Sequence, residues 1–394
     1  IDNGFMRYNE SEKVKQYFEQ LGYDNFHIID ASNEFIESVK EIYEPEEKRK
    51  IIGNKFIEIQ KSELKKIGLN ENEWMLGQGT IYPDTIESKG TKNADLIKTH
   101  HNRVDVILEM IKQGMVIEPL EYLYKDEVRN LGHNLGLPKN LIERHPFPGP
   151  GLSIRCLCTK KESLPENIND VKQQIKEIIG DEFDFRILPI KSVGVQGDSR
   201  SYKHSVLIDD NNKSILNKEK LTKISTELTN KIKEINRVLY NIATQQNSKT
   251  ALQNSKFPHG RQNLYENKID NSKDMETDYM YPNKLTDFKT KKCYLTNDRL
   301  DNLRLIDNEI NNLINKTGEY DSIWQFPVVL IPVGNNYKES IVLRPIVSTE
   351  AMTAEFTLLK KETIKELIEK IKKYEIDYIM YDITNKPPGT IEWE

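Results

Sequence analysis

Tyr202-Lys203-His204-Ser205-Val206 returns further along the chain as Tyr337-Lys338-Glu339-Ser340-Ile341. In the same order, Lys231-Ile232-Lys233 ahead of Val238-Leu239-Tyr240-Asn241-Ile242 returns as Lys370-Ile371-Lys372 ahead of Ile379-Met380-Tyr381-Asp382-Ile383. Each copy reads strand, strand, amphipathic helix, strand. The helical stripe is Leu221, Ile224, Leu228, Ile232 and Ile235 in the first copy and Ile364, Leu367, Ile368 and Ile371 in the second, with core packing as its plain explanation. Two copies of one unit, about 184–243 and 323–394, can pair their sheets into a pseudo-symmetric layer. The insert between them, about 244–320, begins with a stretch to about 290 rich in Asn, Lys, Asp and Gln. That stretch has few aliphatics to offset its ordering entropy and is expected to be disordered or loosely packed.

Upstream the pattern differs. An acidic first turn and a following Gly22 predict a helix over 11–21, Phe26 to Asp30 predicts a short strand, and Ser32 is placed to cap a second helix. Ile51, Ile52, Phe56, Ile59 and Leu64 recur near helical spacing until Gly68, and Glu73-Trp74-Met75-Leu76 then reads as a strand ending at Gly77-Gln78-Gly79-Thr80. Strands alternating with helices argue for βαβ units and a mainly parallel sheet, so residues 1–158 read as one α/β unit and 159–394 as a second, duplicated one. Ligands in such sheets sit beyond the carboxyl ends of the strands, where Asn3-Gly4 and Gly77 to Thr80 are expected.

Composition narrows the function. The 394 residues carry 57 basic and 62 acidic groups, a net −5, which excludes a polybasic nucleic-acid binder. Mean hydropathy is −0.66, and no apolar run approaches the ~18 residues of a membrane span. Cys156, Cys158 and Cys293 are too few for a disulfide framework and point to a reducing, cytoplasmic setting. Cys156 and Cys158 lie two apart, as on one face of a strand, and read as structural thiols rather than metal ligands. The chain opens on Ile1 rather than Met, so something upstream is expected to be missing.

Four segments carry possible chemistry. Arg144-His145-Pro146-Phe147-Pro148-Gly149-Pro150-Gly151-Leu152 combines three prolines and two glycines, which stiffen the backbone yet let its amides approach a ligand. A rigid turn joining two domains explains it equally. In Tyr82-Pro83-Asp84-Thr85-Ile86-Glu87-Ser88, the carboxylates of Asp84 and Glu87 would share one side of a helical turn, suited to a divalent cation or to capping. Lys98, His100 and His101, in Lys98-Thr99-His100-His101-Asn102, form a donor cluster for phosphate charge, or a solvated loop. Together the two pieces frame a polar lid of the kind that closes over phosphates. Lys191 to Arg200 places two glycines and Asp198 at a strand end, either a hydroxyl-binding turn or a common hairpin. The stiff end Lys386-Pro387-Pro388-Gly389-Thr390-Ile391-Glu392-Trp393-Glu394 suggests a tail tucked into a site, with Lys386 as a phosphate partner.

Together these segments, with Asp2-Asn3-Gly4-Phe5-Met6-Arg7, Gly77 to Asp84, Arg344-Pro345-Ile346 and Met352-Thr353-Ala354, resemble in family order the C-terminal two-thirds of the glutamine-hydrolysing GMP synthetases, in a long-insert, eukaryotic-like form. The resemblance is weak only between about 205 and 320. It implies an adenine-nucleotide α-hydrolase-like parallel sheet, an ATP pyrophosphatase unit, followed by a duplicated α+β dimerisation unit. It implies ATP and Mg²⁺, adenylation of the purine 2-oxygen of xanthosine monophosphate (XMP) with release of pyrophosphate, and displacement of AMP by ammonia made in a glutaminase domain. Carried over by motif, Arg7, Asp198, Gln325, Lys386 and Glu392 would contact XMP, Gln78 and Gly79 would contact ATP, and Asp84, Glu87, Lys98, His100 and His101 would serve adenylation.

Two departures stand out. The family's Ser-Gly-Gly-x-Asp-Ser phosphate loop does not occur in the sequence, nor does the Cys/His/Glu glutaminase triad. The expectation is therefore a fragment of a longer product that does not turn over alone, and the duplication implies a monomer or a weak homodimer. The rivals are another ATP pyrophosphatase, such as an NAD synthetase or a tRNA-thiolating enzyme, which would lack the Lys386 to Glu394 tail, and a non-catalytic nucleotide-binding subunit.

Overall fold

The computed structural model describes residues 1–23, 25–68, 74–82, 85, 105–196, 199–210, 217–244, 288–336, 339–348 and 353–394. The helices are α1 (Glu10–Gln20), α2 (Ser32–Ser38), α3 (Pro45–Lys66), α4 (Asp105–Lys112), α5 (Lys125–Asn134), α6 (Lys139–Ile142), α7 (Ile168–Ile179), α8 (Lys218–Lys231), α9 (Asn297–Lys316) and α10 (Lys361–Ile371). The strands are β1 (Leu76–Gly77), β2 (Val116–Ile117), β3 (Phe183–Gln196), β4 (Ser199–Asp210), β5 (Ile235–Thr244), β6 (Lys289–Thr290), β7 (Val328–Ile331), β8 (Val333–Gly334), β9 (Ser340–Leu343), β10 (Ile346–Val347), β11 (Glu355–Phe356) and β12 (Tyr378–Asp382). The protein is thus a mixed α/β chain.

In the first part the described pairing is parallel but short. It consists of β1 with β2 and a single bridge between Asp2 and Asp30. That bridge is all that remains of the strand expected at Phe26 to Asp30. Ser32 does not cap α2 either. Asp30 takes the role, accepting from the Ser32 N–H at 3.1 Å and the Ser32 hydroxyl at 2.6 Å through Oδ1. Helix α3 follows the expected rules, with Pro45 in its first turn, Glu46 and Glu47 near its positive end, Lys65 and Lys66 near its negative end, and Gly68 at φ +78° beyond it.

The second part is built on a six-stranded sheet ordered β3-β4-β5-β12-β9-β7. At its centre β5 and β12 run antiparallel; outward, β4 lies parallel to β5 and β9 parallel to β12, and the antiparallel strands β3 and β7 close the two edges. Strand β5 is buried along its whole length, as a central strand covered on both faces must be. Val206, Ile208, Val238, Tyr240, Ile379 and Tyr381 share a core with Leu221, Leu228, Leu367 and Ile371 of the covering helices. The alternate residues Leu207, Leu239, Val342 and Met380 meet Leu157 and Trp393 on the opposite face. At ~1.5–3 kcal/mol for each large apolar side chain withdrawn from water, Ile364, Leu367, Ile368 and Ile371 suffice to hold α10 on the sheet.

The Asn/Lys-rich stretch 245–287 lies outside the described residues. Further on, the span assigned to the insert contains α9, capped by Thr296 and burying Leu300, Leu303, Ile306, Ile310, Leu313 and Ile314. Cys156 and Cys158 do not sit on a strand. Both lie just beyond a short 3-10 turn at Gly151–Ile154, and Cys156 makes only an isolated parallel bridge to Leu330. All three thiols are free, and burial pushes Cys156 up to about 12, which makes it an inert core group. No described helix is long and apolar enough to cross a membrane.

Candidate nucleotide site

Two loops far apart in sequence meet backbone to backbone. The opening loop is held by Asp2, whose N–H donates to the Ile29 carbonyl at 2.7 Å, and by its own side chains: Gly4 N–H donates to Asp2 Oδ1 at 2.8 Å and Phe5 N–H to Asn3 Oδ1 at 2.9 Å. Gly4 has φ +73°, and a Cβ there would come within 2.7 Å of the Ser32 Cβ. The Leu152 N–H then donates to the Phe5 carbonyl at 2.7 Å. A Cβ on Gly151, at φ +61°, would stand 2.2 Å from that same oxygen, so only glycine fits. The proline-rich turn is therefore a seat for the opening loop.

Arg7 and Arg155 come together on this seat. Their guanidinium carbons lie 4.3 Å and 5.0 Å from the centre of the Phe147 ring, within the range of cation–π attraction. Arg7 donates through Nη2 to the carbonyls of His145 and Pro146 at 3.1 and 3.2 Å. Arg155, fully buried, donates bidentately to Glu392, Nε to Oε2 at 2.9 Å and Nη2 to Oε1 at 2.7 Å. Gln325 Nε2 donates to the same Glu392 Oε1 at 3.0 Å, its backbone fixed by a bridge to Ile346. His145 stacks face to face on Tyr320 at 3.8 Å and donates through Nε2 to the Tyr320 carbonyl at 3.0 Å. Burial pulls its pKa down to about 4, with the Arg7 charge working in the same direction, so the ring is neutral.

Glu392 is placed by the tail that carries it. Asp382 is fully buried, and its Oδ2 accepts from Arg237 Nη1 at 2.8 Å and Trp393 Nε1 at 3.0 Å while Arg344 Nη1 stands 2.9 Å away. Both arginines also donate to tail carbonyls: Arg237 Nη2 to Thr390 and Glu392, Arg344 to Gly389 and Ile391, while the buried Arg237 Nε has no hydrogen-bond partner. The tail also pairs with β3, Val193 N–H to Trp393 O at 3.0 Å and Val195 N–H to Pro388 O at 2.7 Å. Beyond it, Glu394 is locked to α3. Lys48 Nζ donates to Glu394 Oε2 at 2.5 Å with both side chains buried, and this carboxylate holds the Lys48 ammonium charged.

Of the residues expected at the site, Arg7, Gln325 and Glu392 are gathered around Phe147 and Arg155. Lys386 lies at the base of the tail, its backbone bridged to Ala354. Asp198 lies outside the described residues, between β3 and β4, which pair up to Gln196 and Ser199. Gln78 follows β1, its N–H donating to the Ile117 carbonyl at 2.9 Å, and its buried Oε1 has no hydrogen-bond partner; around Gly79 nothing crowds a Cβ. Asp84, Glu87, Lys98, His100 and His101 lie outside the described residues. Among the described residues no group of His, Cys, Asp and Glu side chains could hold a metal ion. Sequence reasoning passed over Arg155, Arg237 and Asp382. Their signal was faint: an arginine directly after the Gly-Leu-Ser-Ile turn, and a carboxylate, Asp382, where the recurring stretch has Asn241.

Residues 171–250 and 312–393 match the GMP synthase C terminal domain. Over 398 aligned residues, taking in the whole chain and 59% of the relative, the chain is 42% identical to a protein of Leptospira interrogans named probable GMP synthase (glutamine-hydrolysing). A protein of the same name from Caenorhabditis elegans is 32% identical over 470 residues, again with the whole chain and 59% of the relative. The GMP synthase of Thermosipho melanesiensis is 40% identical over 267 residues, 62% of this chain and 51% of the relative. The chain thus spans about three-fifths of the length of the first two, one of them bacterial, so full coverage is not confined to eukaryotes. With its C-terminal sheet and tail falling in the matched segments, the chain carries the GMP synthase C terminal domain and over its whole length is similar to about three-fifths of the length of proteins named GMP synthase.

Proposed function

We propose that this chain is the synthetase portion of a GMP synthase. Its Arg7, Asp198, Gln325, Lys386 and Glu392 bind XMP, and Gln78 and Gly79 meet ATP. The observation that carries the reading is the convergence of Arg7, Gln325 and Glu392 on the Phe147–Arg155 platform from three distant parts of the chain. Arg7 and Arg155 supply fixed positive charge in a water-poor setting for an anionic nucleotide. Glu392, held by Arg155 and Gln325, offers an acceptor to the nucleotide N–H or hydroxyl groups. The unpartnered Gln78 Oε1 suits a donor such as an adenine amino group. In the reaction the purine 2-oxygen attacks the α-phosphorus of ATP and pyrophosphate leaves; ammonia then attacks the purine 2-carbon and AMP leaves. The lid residues Asp84, Glu87, Lys98, His100 and His101 serve adenylation and keep water from the adenylate. Mg²⁺ would spread charge on the phosphates, and the chain's described residues assign it no ligands.

We also infer that the two halves of the sheet are copies of one unit, joined at β5 and β12 as two subunits would join in a homodimer. The mirrored order of strands and the recurring sequence support this, and a chain that supplies both halves has no need of a second copy.

The test is equilibrium binding. Titration calorimetry of the chain with XMP should show one site per chain, and Glu392→Gln should weaken it by at least about tenfold, the loss expected when a charged acceptor is neutralised. A folded chain that binds XMP no better than AMP would refute the reading and favour another ATP pyrophosphatase.

A further inference from the structure

Most of helix α9, up to Asn311, lies outside the residues matched by the family domain, which resume at 312. Yet one face of it is pressed against the opening loop. Arg304 donates through Nε to the Met6 carbonyl at 3.0 Å and through Nη2 to the Gly4 carbonyl at 2.5 Å, its Nη1 paired with Asp301 on its own helix. These are the carbonyls on either side of Phe5, the residue seated on Gly151, and Met6 directly precedes Arg7. On the same side of the helix stands Asp307, 2% exposed. Its Oδ2 accepts from Asn311 at 3.1 Å and its Oδ1 has no hydrogen-bond partner; burial raises its pKa, against the charges of Arg155 and Arg7. A buried carboxylate oxygen left unpartnered beside two arginines is costly unless the site uses it.

Accepting the reading of Arg7 as an XMP contact, we propose that α9 is a positioning element of the nucleotide site, with Arg304 as the positioning residue that fixes the Gly4–Met6 backbone and so aims the Arg7 guanidinium. Ile29 and Leu152 hold the loop at Asp2 and Phe5, and Arg304 holds the Gly4 and Met6 carbonyls. Gly4 is in a left-handed conformation stabilised only locally, and Arg7 spends its Nη2 on carbonyls of the turn. Without Arg304 the two carbonyls would turn to water and the loop would sample poses in which Arg7 misses the nucleotide. The chain would then pay an ordering cost on binding that the present geometry has already met.

The experiment is a double-mutant cycle on XMP affinity in the full chain, read by calorimetry. Arg304→Ala should weaken XMP binding about tenfold, and Arg304→Lys, which can still donate to both carbonyls, should restore it to within about threefold. In an Arg7→Ala background the same Arg304→Ala should change affinity by less than about twofold, because the residue through which it acts is gone. Additive losses, or an Arg304→Ala chain that binds XMP like the parent, would overturn the proposal. If Arg304→Ala does not fold, the cycle is run with Arg304→Gln on the same criteria. A parent chain with no XMP binding refutes the XMP reading itself, whereas a binding parent with an additive cycle refutes only the role of α9.

Discussion

Asp382→Asn is the substitution that bears hardest on how the tail is held. The wild-type carboxylate is the single negative group between Arg237 and Arg344 in a pocket where all three side chains are fully buried, at 2.8 and 2.9 Å. Burial, with Arg344 adding its like charge, already pulls the Arg237 guanidinium down to about 9, so Asp382 is what keeps it charged. At an effective dielectric of about 20, each of these pairs is worth roughly 6 kcal/mol before desolvation. Asparagine preserves shape and one acceptor oxygen, so a hydrogen bond survives, and the carboxylate no longer has to be dehydrated, which returns several kcal/mol. The balance is a loss of about 3–5 kcal/mol, the cost usual for removing one partner of a buried pair. Urea unfolding at pH 7, followed by fluorescence of the buried Trp393 that donates to Asp382, measures it directly. XMP affinity should fall with it, since the same two arginines hold the tail that carries Glu392. A stability loss under about 1 kcal/mol would refute the reasoning, because it would mean that the arginines are already compensated by water or by the tail carbonyls alone.

Two further expectations concern acid and assembly. His145 has a folded pKa of about 4 against 6.5 unfolded, so it is the unfolded chain that takes up a proton as pH falls from about 7 to 4, and the folded chain loses stability over that window. At pH 5 the group costs about 2 kcal/mol; His145→Gln should shrink the difference between the unfolding free energies at pH 7 and pH 5 by that amount, and equal pH differences for the two proteins would sink the assignment. Sedimentation at micromolar concentration should find a monomer or weak dimer, because the central β5–β12 pairing is satisfied within one chain; a tight dimer in every nucleotide state would contradict this.

The two covering helices were legible because their signal is apolar periodicity, and Leu221, Ile224 and Leu228 or Ile364, Leu367 and Ile371 have to face a sheet whatever else the chain does. The meeting of Arg7, Gln325 and Glu392 was legible only through resemblance. Spacing along a chain says nothing about contacts between residues hundreds of positions apart. Helix α9 was hidden by composition. Its stripe from Leu300 to Ile314 is regular, but it follows the polar stretch 245–287 and was averaged into it. Buried arginines are the hardest case, since Arg155 and Arg237 look in sequence like any surface cation, and only the carboxylates that reach them from Glu392 and Asp382 make burial tolerable. The strand at Phe26 to Asp30 failed for a related reason: a local pattern of apolar residues cannot supply the neighbouring strand that would complete it.

Because β5 and β12 belong to one chain, a change of residue at the seam of the sheet occurs once, not twice. Two identical subunits would have to accept every substitution on both sides of their axis at the same moment. Here each side answers only to its own neighbours, and the outer hairpins differ: β3 and β4 are 14 and 12 residues long, while β7 and β9 are 4 each. The long hairpin reaches over to the tail through Val193 and Val195, and the short one is free to stop where the sheet does. Covalent linkage of the halves thus gives the fold a freedom that symmetry would deny it, to lengthen one arm toward the tail while keeping the other short.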